Sequence, residues 1–170
     1  MDEGFINKNF SHFKIHSQYS ICEGALKIDD LSKYCKENKI KSIGLCDSYN
    51  LCGALEFAEK LSKIGTQPII GTQINFLFEN IIGKLPLFAT TETGYKNLTK
   101  LSSKSYLESD AKSNPHCKIT ELENINKDLI ILTGTINDFF GSLFKLNKLK
   151  QIENILSKLN TIFKDNIYIE

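Results

Sequence analysis

Two short stretches of the chain gather side chains capable of chemistry. One runs His12-Phe13-Lys14-Ile15-His16-Ser17-Gln18-Tyr19-Ser20 and continues to Glu23-Gly24; the other is Asp47-Ser48-Tyr49-Asn50. If the first stretch opens as a strand, His12, Lys14 and His16 share one face, because side chains alternate along a strand. Imidazoles bind divalent metals, but an ammonium between them repels a cation and cannot ligate while protonated. The triplet by itself is therefore a poor metal site. Asp47 can ligate a metal, act as an acid or base, or brace the turn before Asn50. Glu23-Gly24 reads as an acidic turn. His116 lies in a polar stretch and is expected to be solvated.

These residues depend on the elements that position them. In parallel α/β architectures functional groups gather on loops at the C-terminal ends of strands. Both stretches fit that rule, after a strand near Phe10–Ile15 and a short strand Ser42–Cys46. Ser17–Ile28 reads as a loop, and Asp29 or Asp30 as the cap of a helix with the stripe Leu31, Tyr34 and Cys35. A second helix starts near Gly53, with Ala54, Phe57, Ala58 and Leu61 on one face and Gly65 as its stop. Pro68–Gly71 and Ile74–Phe78 are strand candidates. Glu79-Asn80 then turns the chain into Ile81–Ile82 and Leu85–Ala89.

Further along, Thr93 is placed to cap a helix that turns Tyr95, Leu98, Leu101 and Ser102 inward. Ser109–Lys118 reads as a surface loop around Pro115. Thr120 and Glu123 have capping-box spacing. Leu129–Leu132 reads as a buried strand. Phe140, Leu143 and Phe144 suggest a short helix. Leu149, Ile152, Ile155, Leu156, Leu159 and Phe163 mark a longer one, and Ile167–Ile169 a last strand. This alternation predicts βα units around a mostly parallel sheet.

The chain has 170 residues and a formal charge of +1, with 41% hydrophobic and 24% charged residues. That is enough for one domain with a hydrophobic core. The near-neutral balance gives no electrostatic case for nucleic acid, membrane or a strongly acidic partner. All 21 basic residues are lysine, so bidentate guanidinium clamping of phosphate or carboxylate is excluded. Lys145, Lys148, Lys150, Lys158 and Lys164 on the late helices read as solvated faces rather than a DNA track. Five cysteines without a C-x-x-C pair argue against a disulfide framework or zinc ribbon and for a reducing cytoplasm. Neither a signal peptide nor a membrane-spanning run is expected.

At the same loops the sequence resembles a known family. His12 to Ser20 with Glu23-Gly24 is similar to the opening motif of the PHP (polymerase and histidinol phosphatase) domains of bacterial DNA polymerase III α subunits. Asp47 with Asn50-Leu51-Cys52-Gly53 resembles the second motif. Lys63-Ile64-Gly65 with Pro68-Ile69-Ile70-Gly71 resembles the third, Thr93 to Leu98 a fourth, and Leu129–Gly134 a fifth. The resemblance implies residues 1–9 as an N-terminal extension and 10–170 as part of a PHP domain that continues beyond Glu170 in the family. The implied fold is α/β, the N-terminal part of a distorted, incomplete β/α barrel. Metal-binding relatives carry a cluster, zinc or manganese, at the C-terminal ends of the strands.

Against that pattern, His16, Glu23 and Asp47 match ligand positions, while Lys14, Ser48 and Gln73 stand where relatives place ligands. Lys84 takes the position of a further histidine. A multi-metal phosphoesterase needs neutral imidazoles and bridging carboxylates. Gln73 supplies no negative bridge, Ser48 is a poor ligand and Lys14 adds positive charge. The expectation is a vestigial site without a metal cofactor or catalytic residues. Nucleotidyl transfer, with its magnesium, would belong to the rest of the polymerase α chain. The resemblance implies as partners that remaining chain and a proofreading exonuclease subunit, with DNA reached only through the full-length polymerase. A phosphoesterase or exonuclease with an altered metal cluster is the alternative.

Overall fold

The computed structural model describes residues 10–109 and 113–170. The expected extension at 1–9 and part of the expected polar loop, 110–112, lie outside the described residues. The chain runs α1 (Ile28–Glu37), β1 (Ser42–Ser48), α2 (Ala54–Lys63), β2 (Gln67–Phe78), β3 (Ile81–Ala89) and α3 (Glu92–Leu107). It continues through β4 (Cys117–Lys118), a 3-10 turn at Ile119–Glu123, β5 (Leu129–Leu132), α4 (Phe139–Lys145), α5 (Leu149–Phe163) and β6 (Ile167–Tyr168). The strands form one open sheet in the order β1-β2-β3-β5-β6, with β4 on the far end of β2. The fold is α/β, as expected.

The sheet is mixed rather than mostly parallel. β1–β2 and β5–β6 are parallel, but β2–β3 and β3–β5 are antiparallel. The cause is local: Glu79-Asn80 make a two-residue connection, with Glu79 at φ 53, and so tight a turn joins only antiparallel neighbours. The segments expected as separate, Pro68–Gly71 and Ile74–Phe78, and Ile81–Ile82 and Leu85–Ala89, merge into the long strands β2 and β3, whose ladders run unbroken. Phe10–Ile15 is not a regular strand. It lies along β1 through one bridge, Ile15 to Leu45.

Alternation divides the sheet into two faces. Ile43, Leu45, Ile70, Ile74, Phe76, Leu85, Leu87, Leu129 and Ile131 turn toward the helices and supply the core. One cluster lies under α1 and α2, with Leu31, Cys35, Phe57 and Leu61. The larger lies under α3, α4 and α5, with Leu98, Leu101, Phe139, Leu143, Ile155 and Leu159. The opposite face bears the intervening residues: Ser48, Ile69, Gln73, Lys84, Phe88 and Leu132.

Several helix details differ from expectation. α1 begins at Ile28, so Asp29 and Asp30 sit in its first turn, where carboxylates favour the helix dipole but do not cap. Thr91, not Thr93, caps α3 by accepting from the Gly94 N–H. With that register Leu98 and Leu101 are buried, while Tyr95 is exposed. Thr120 belongs to the 3-10 turn after Lys118 and caps nothing. In α4 the stripe is Phe139, Phe140 and Leu143, and Phe144 faces out. Gly65, at φ 78, stops α2 as expected. Cys117 and Lys118 are not loop but pair with Phe76 and Leu77.

Candidate functional site

The polar groups of the sheet's open face collect at the end of β1, the middle of β2 and the first half of β3. The register explains this: Ser48 pairs with Gln73 across β1–β2, and Asn75 pairs with Lys84 across β2–β3. Gln73 and Lys84 are then near neighbours, and the loop at 17–24 folds against them.

Asp47 is the hub that holds that loop. Its side chain is buried, at 1% exposure. Oδ1 accepts the Ser17 N–H at 2.6 Å and the Ser20 hydroxyl at 2.6 Å. Oδ2 accepts the Ser17 hydroxyl at 2.7 Å. Ser20 Oγ accepts in turn the Ser48 N–H at 3.1 Å. Asp47 thus braces the Ser17–Ser20 loop, not the turn before Asn50. That turn is tied by Asn50 itself, whose Nδ2 donates to the carbonyls of Tyr19 and Ser48 at 2.9 Å each.

Glu23 reaches in from the loop. Its Oε2 accepts the Ser48 hydroxyl at 2.5 Å and its Oε1 accepts Lys84 Nζ at 2.5 Å. Burial pushes the Glu23 carboxyl up, but the Lys84 ammonium and Ser48 hydroxyl outweigh it, and the net direction is down. Burial lowers Lys84, the Glu23 carboxylate raises it, and the net direction is up. The Lys84 ammonium also lies 5.5 Å from the centre of the Tyr49 ring. His16 Nδ1 and Gln73 Nε2 are buried and have no hydrogen-bond partner.

Lys14 faces a different carboxylate. Its Nζ lies 2.5 Å from Asp138 Oδ2 and 3.5 Å from Glu170 Oε2. Asp138 Oδ2 also accepts the Thr135 N–H at 2.8 Å and the Thr135 hydroxyl at 2.9 Å. Asp138 went unnoticed in the sequence, though its signal was there: Gly134-Thr135-Ile136-Asn137-Asp138 follows β5, and loops after strands are where polar groups gather. His12 stands apart, exposed, with its ring 4.8 Å from that of Phe10. His116 is not solvated as expected. It is half-buried, and its Nδ1 is 2.8 Å from the Asn114 carbonyl and 3.2 Å from Ser109 Oγ.

These residues do not fit a metal cluster. Both oxygens of Asp47 are already engaged by three donors. Glu23 is neutralised by an ammonium rather than left free to ligate. Among the described residues no three His, Cys, Asp or Glu side chains come together as a metal site. His16 keeps an unengaged nitrogen, but a single imidazole is not a binding set. The five cysteines are all free. No helix among the described residues is long and apolar enough to cross a membrane.

The PHP domain pattern matches residues 12–170. The DNA polymerase III subunit alpha of Caulobacter vibrioides is 34% identical over 173 residues, spanning 96% of this chain and 15% of that protein. The subunit of the same name from Aquifex aeolicus is 33% identical, over 97% of this chain and 16% of that protein. That from Buchnera aphidicola is 35% identical, over 95% of this chain and 14% of that protein. The chain therefore spans about 15% of the length of the curated relatives it matches. Among solved structures, an amidohydrolase from Chromobacterium violaceum overlaps at a TM-score of 0.43 with 16% identity, over 54% of this chain and 32% of that one.

Proposed function

The chain belongs to the PHP domain family, and from that premise we propose that it serves as the PHP region of a bacterial replicative DNA polymerase III α subunit, without catalysis of its own. Its role is to stabilise the α chain and to dock a proofreading exonuclease subunit in the cytoplasm. DNA is met only through the full-length polymerase. The observation that carries this reading is the replacement of a ligand set by ion pairs. Lys84 and Ser48 engage Glu23, three donors engage Asp47, and Lys14 engages Asp138. A site whose carboxylates are saturated by lysine and serine has nothing left with which to hold a cation and activate water. No metal cofactor is assigned to His16, Glu23, Asp47, Lys14, Ser48 or Gln73.

The test is elemental analysis of the purified chain with a phosphodiesterase assay. The expected result is sub-stoichiometric zinc and manganese and no chelator-sensitive hydrolysis. Stoichiometric metal with activity lost on chelation would overturn the reading. It would favour the second one, an altered metal-dependent phosphoesterase, for which the unengaged His16 Nδ1 speaks. In that case His16→Ala abolishes the activity. Docking is tested separately by co-sedimentation with the exonuclease subunit of the same cell, where binding is expected and its absence removes the docking role.

A further inference from the structure

The segment Phe10–His16 lies on the sheet with little backbone pairing. Only two amides of β1 reach it: the Gly44 N–H donates to the His12 carbonyl at 2.7 Å and the Cys46 N–H to the Ile15 carbonyl at 2.8 Å. Gly44 permits this approach, since a Cβ there would lie 2.3 Å from the Phe13 carbonyl oxygen. Phe13 crosses the open face and meets Phe88 edge-on, with ring centres 5.6 Å apart. Two clefts of about 700 Å³ and 670 Å³ flank it, and both are lined by Phe13, Gln67, Ile69 and Leu132.

Lys14 is the polar tie between this segment and the opposite end of the sheet. The segment borders β1 at one edge, whereas Asp138 follows β5 and Glu170 follows β6 at the other. The Lys14 and Asp138 side chains are only 14% and 8% exposed. The lysine–carboxylate pairs elsewhere among the described residues are more exposed; Lys96 and Glu92, one turn apart on α3, are 66% and 81% exposed.

We infer that residues 10–16 form a strap along the β1 edge, latched by the Lys14 side chain across the open face of the sheet onto Asp138 and Glu170. When the latch is broken, the strap lifts from β1 and the two clefts beside Phe13 widen. An edge segment with two backbone bonds belongs to the least stable part of a fold. Removing either member of a buried ion pair leaves its partner as an uncompensated charge. The Lys14–Asp138 pair also supports the non-catalytic reading above, but amide exchange at Gly44 and Cys46 reads the strap and not docking or metal content.

Residue-resolved amide hydrogen exchange on the 170-residue chain tests it. Gly44 and Cys46 report the strap directly, because their N–H groups donate to it. In Lys14→Met, which keeps the apolar stem, both amides should exchange about tenfold faster or more while amides of α3 stay protected. Asp138→Asn should do the same from the other side, and Lys14→Arg should keep the protection. Unchanged exchange at Gly44 and Cys46 in a folded Lys14→Met or Asp138→Asn protein overturns the latch. So does a rise shared equally by α3, or loss of folding in both variants, since the pair then holds the whole domain rather than the strap. Should only Lys14→Met fail to fold, the Asp138→Asn result decides.

Discussion

At the scale of residues, the carboxylates of the site are engaged by neighbouring donors, while His16 Nδ1 and Gln73 Nε2 have no partner. Asp47 is the clearest case. Asp47→Ala would strand the Ser17 N–H and the Ser17 and Ser20 hydroxyls in a buried site. Leaving three such donors unmet costs about 3–5 kcal/mol. Urea denaturation should show that loss, with a smaller one for Asp47→Asn; an unchanged midpoint would mean that the loop is held by other contacts. Asp138 sets an acid limit. Burial pushes its carboxyl up, but the Lys14 ammonium and the Thr135 N–H and hydroxyl bring it below the usual range. A carboxyl lowered on folding binds its proton more readily when unfolded. Its contribution is full above the ordinary aspartate value, about pH 4, and is lost as pH falls through the lower folded value. In Asp138→Asn the acid limb of a stability–pH profile should therefore be shallower. An identical limb would remove this residue from the acid response.

At the scale of elements, the sequence was most legible where apolar periodicity ran long. In the expected α2 stripe Ala54, Phe57 and Leu61 are buried and Ala58 partly so; in the expected α5 stripe Ile155, Leu159 and Phe163 are buried, Ile152 and Leu156 partly so, and Leu149 is exposed. Ends were less legible, because capping is decided by backbone geometry that several nearby threonines could supply. Thr91 and Thr93 both precede the α3 stripe, and only Thr91 has the extended backbone and the contact to Gly94. Thr91→Ala should cost about 1 kcal/mol and Thr93→Ala far less. Thermal melts of the two variants check this, and equal shifts would refute the assignment of the cap. Polar and glycine residues divide the expected strands, at Thr72-Gln73 and Gly83-Lys84, but pairing on the neighbouring strands carries the chain through them.

At the scale of the whole molecule, one sheet serves two cores. The cluster with Phe57 and Leu61 and the cluster with Leu98 and Leu101 both pack on β2, through Ile70 and through Ile74 and Phe76. They should unfold together. Phe57→Ala and Leu101→Ala are each expected to cost about 2–5 kcal/mol without splitting the urea transition. Far-UV dichroism and tyrosine fluorescence should give coincident curves; separated midpoints would show two independent halves. By itself the sequence determined the α/β class, the strands β1 and β5, the aliphatic centres of the helix stripes, and the two loops that meet at the site. These follow from local periodicity and from residue types at short spacing. Only the tertiary structure decided the partners: Ser17 and Ser20 for Asp47, Lys84 for Glu23, and Asp138, 124 positions away in sequence, for Lys14. Such pairings arise from a sheet whose central strands run antiparallel and whose edges curve toward each other. Long-range register of that kind depends on how all the strands pack at once, which no single stretch encodes.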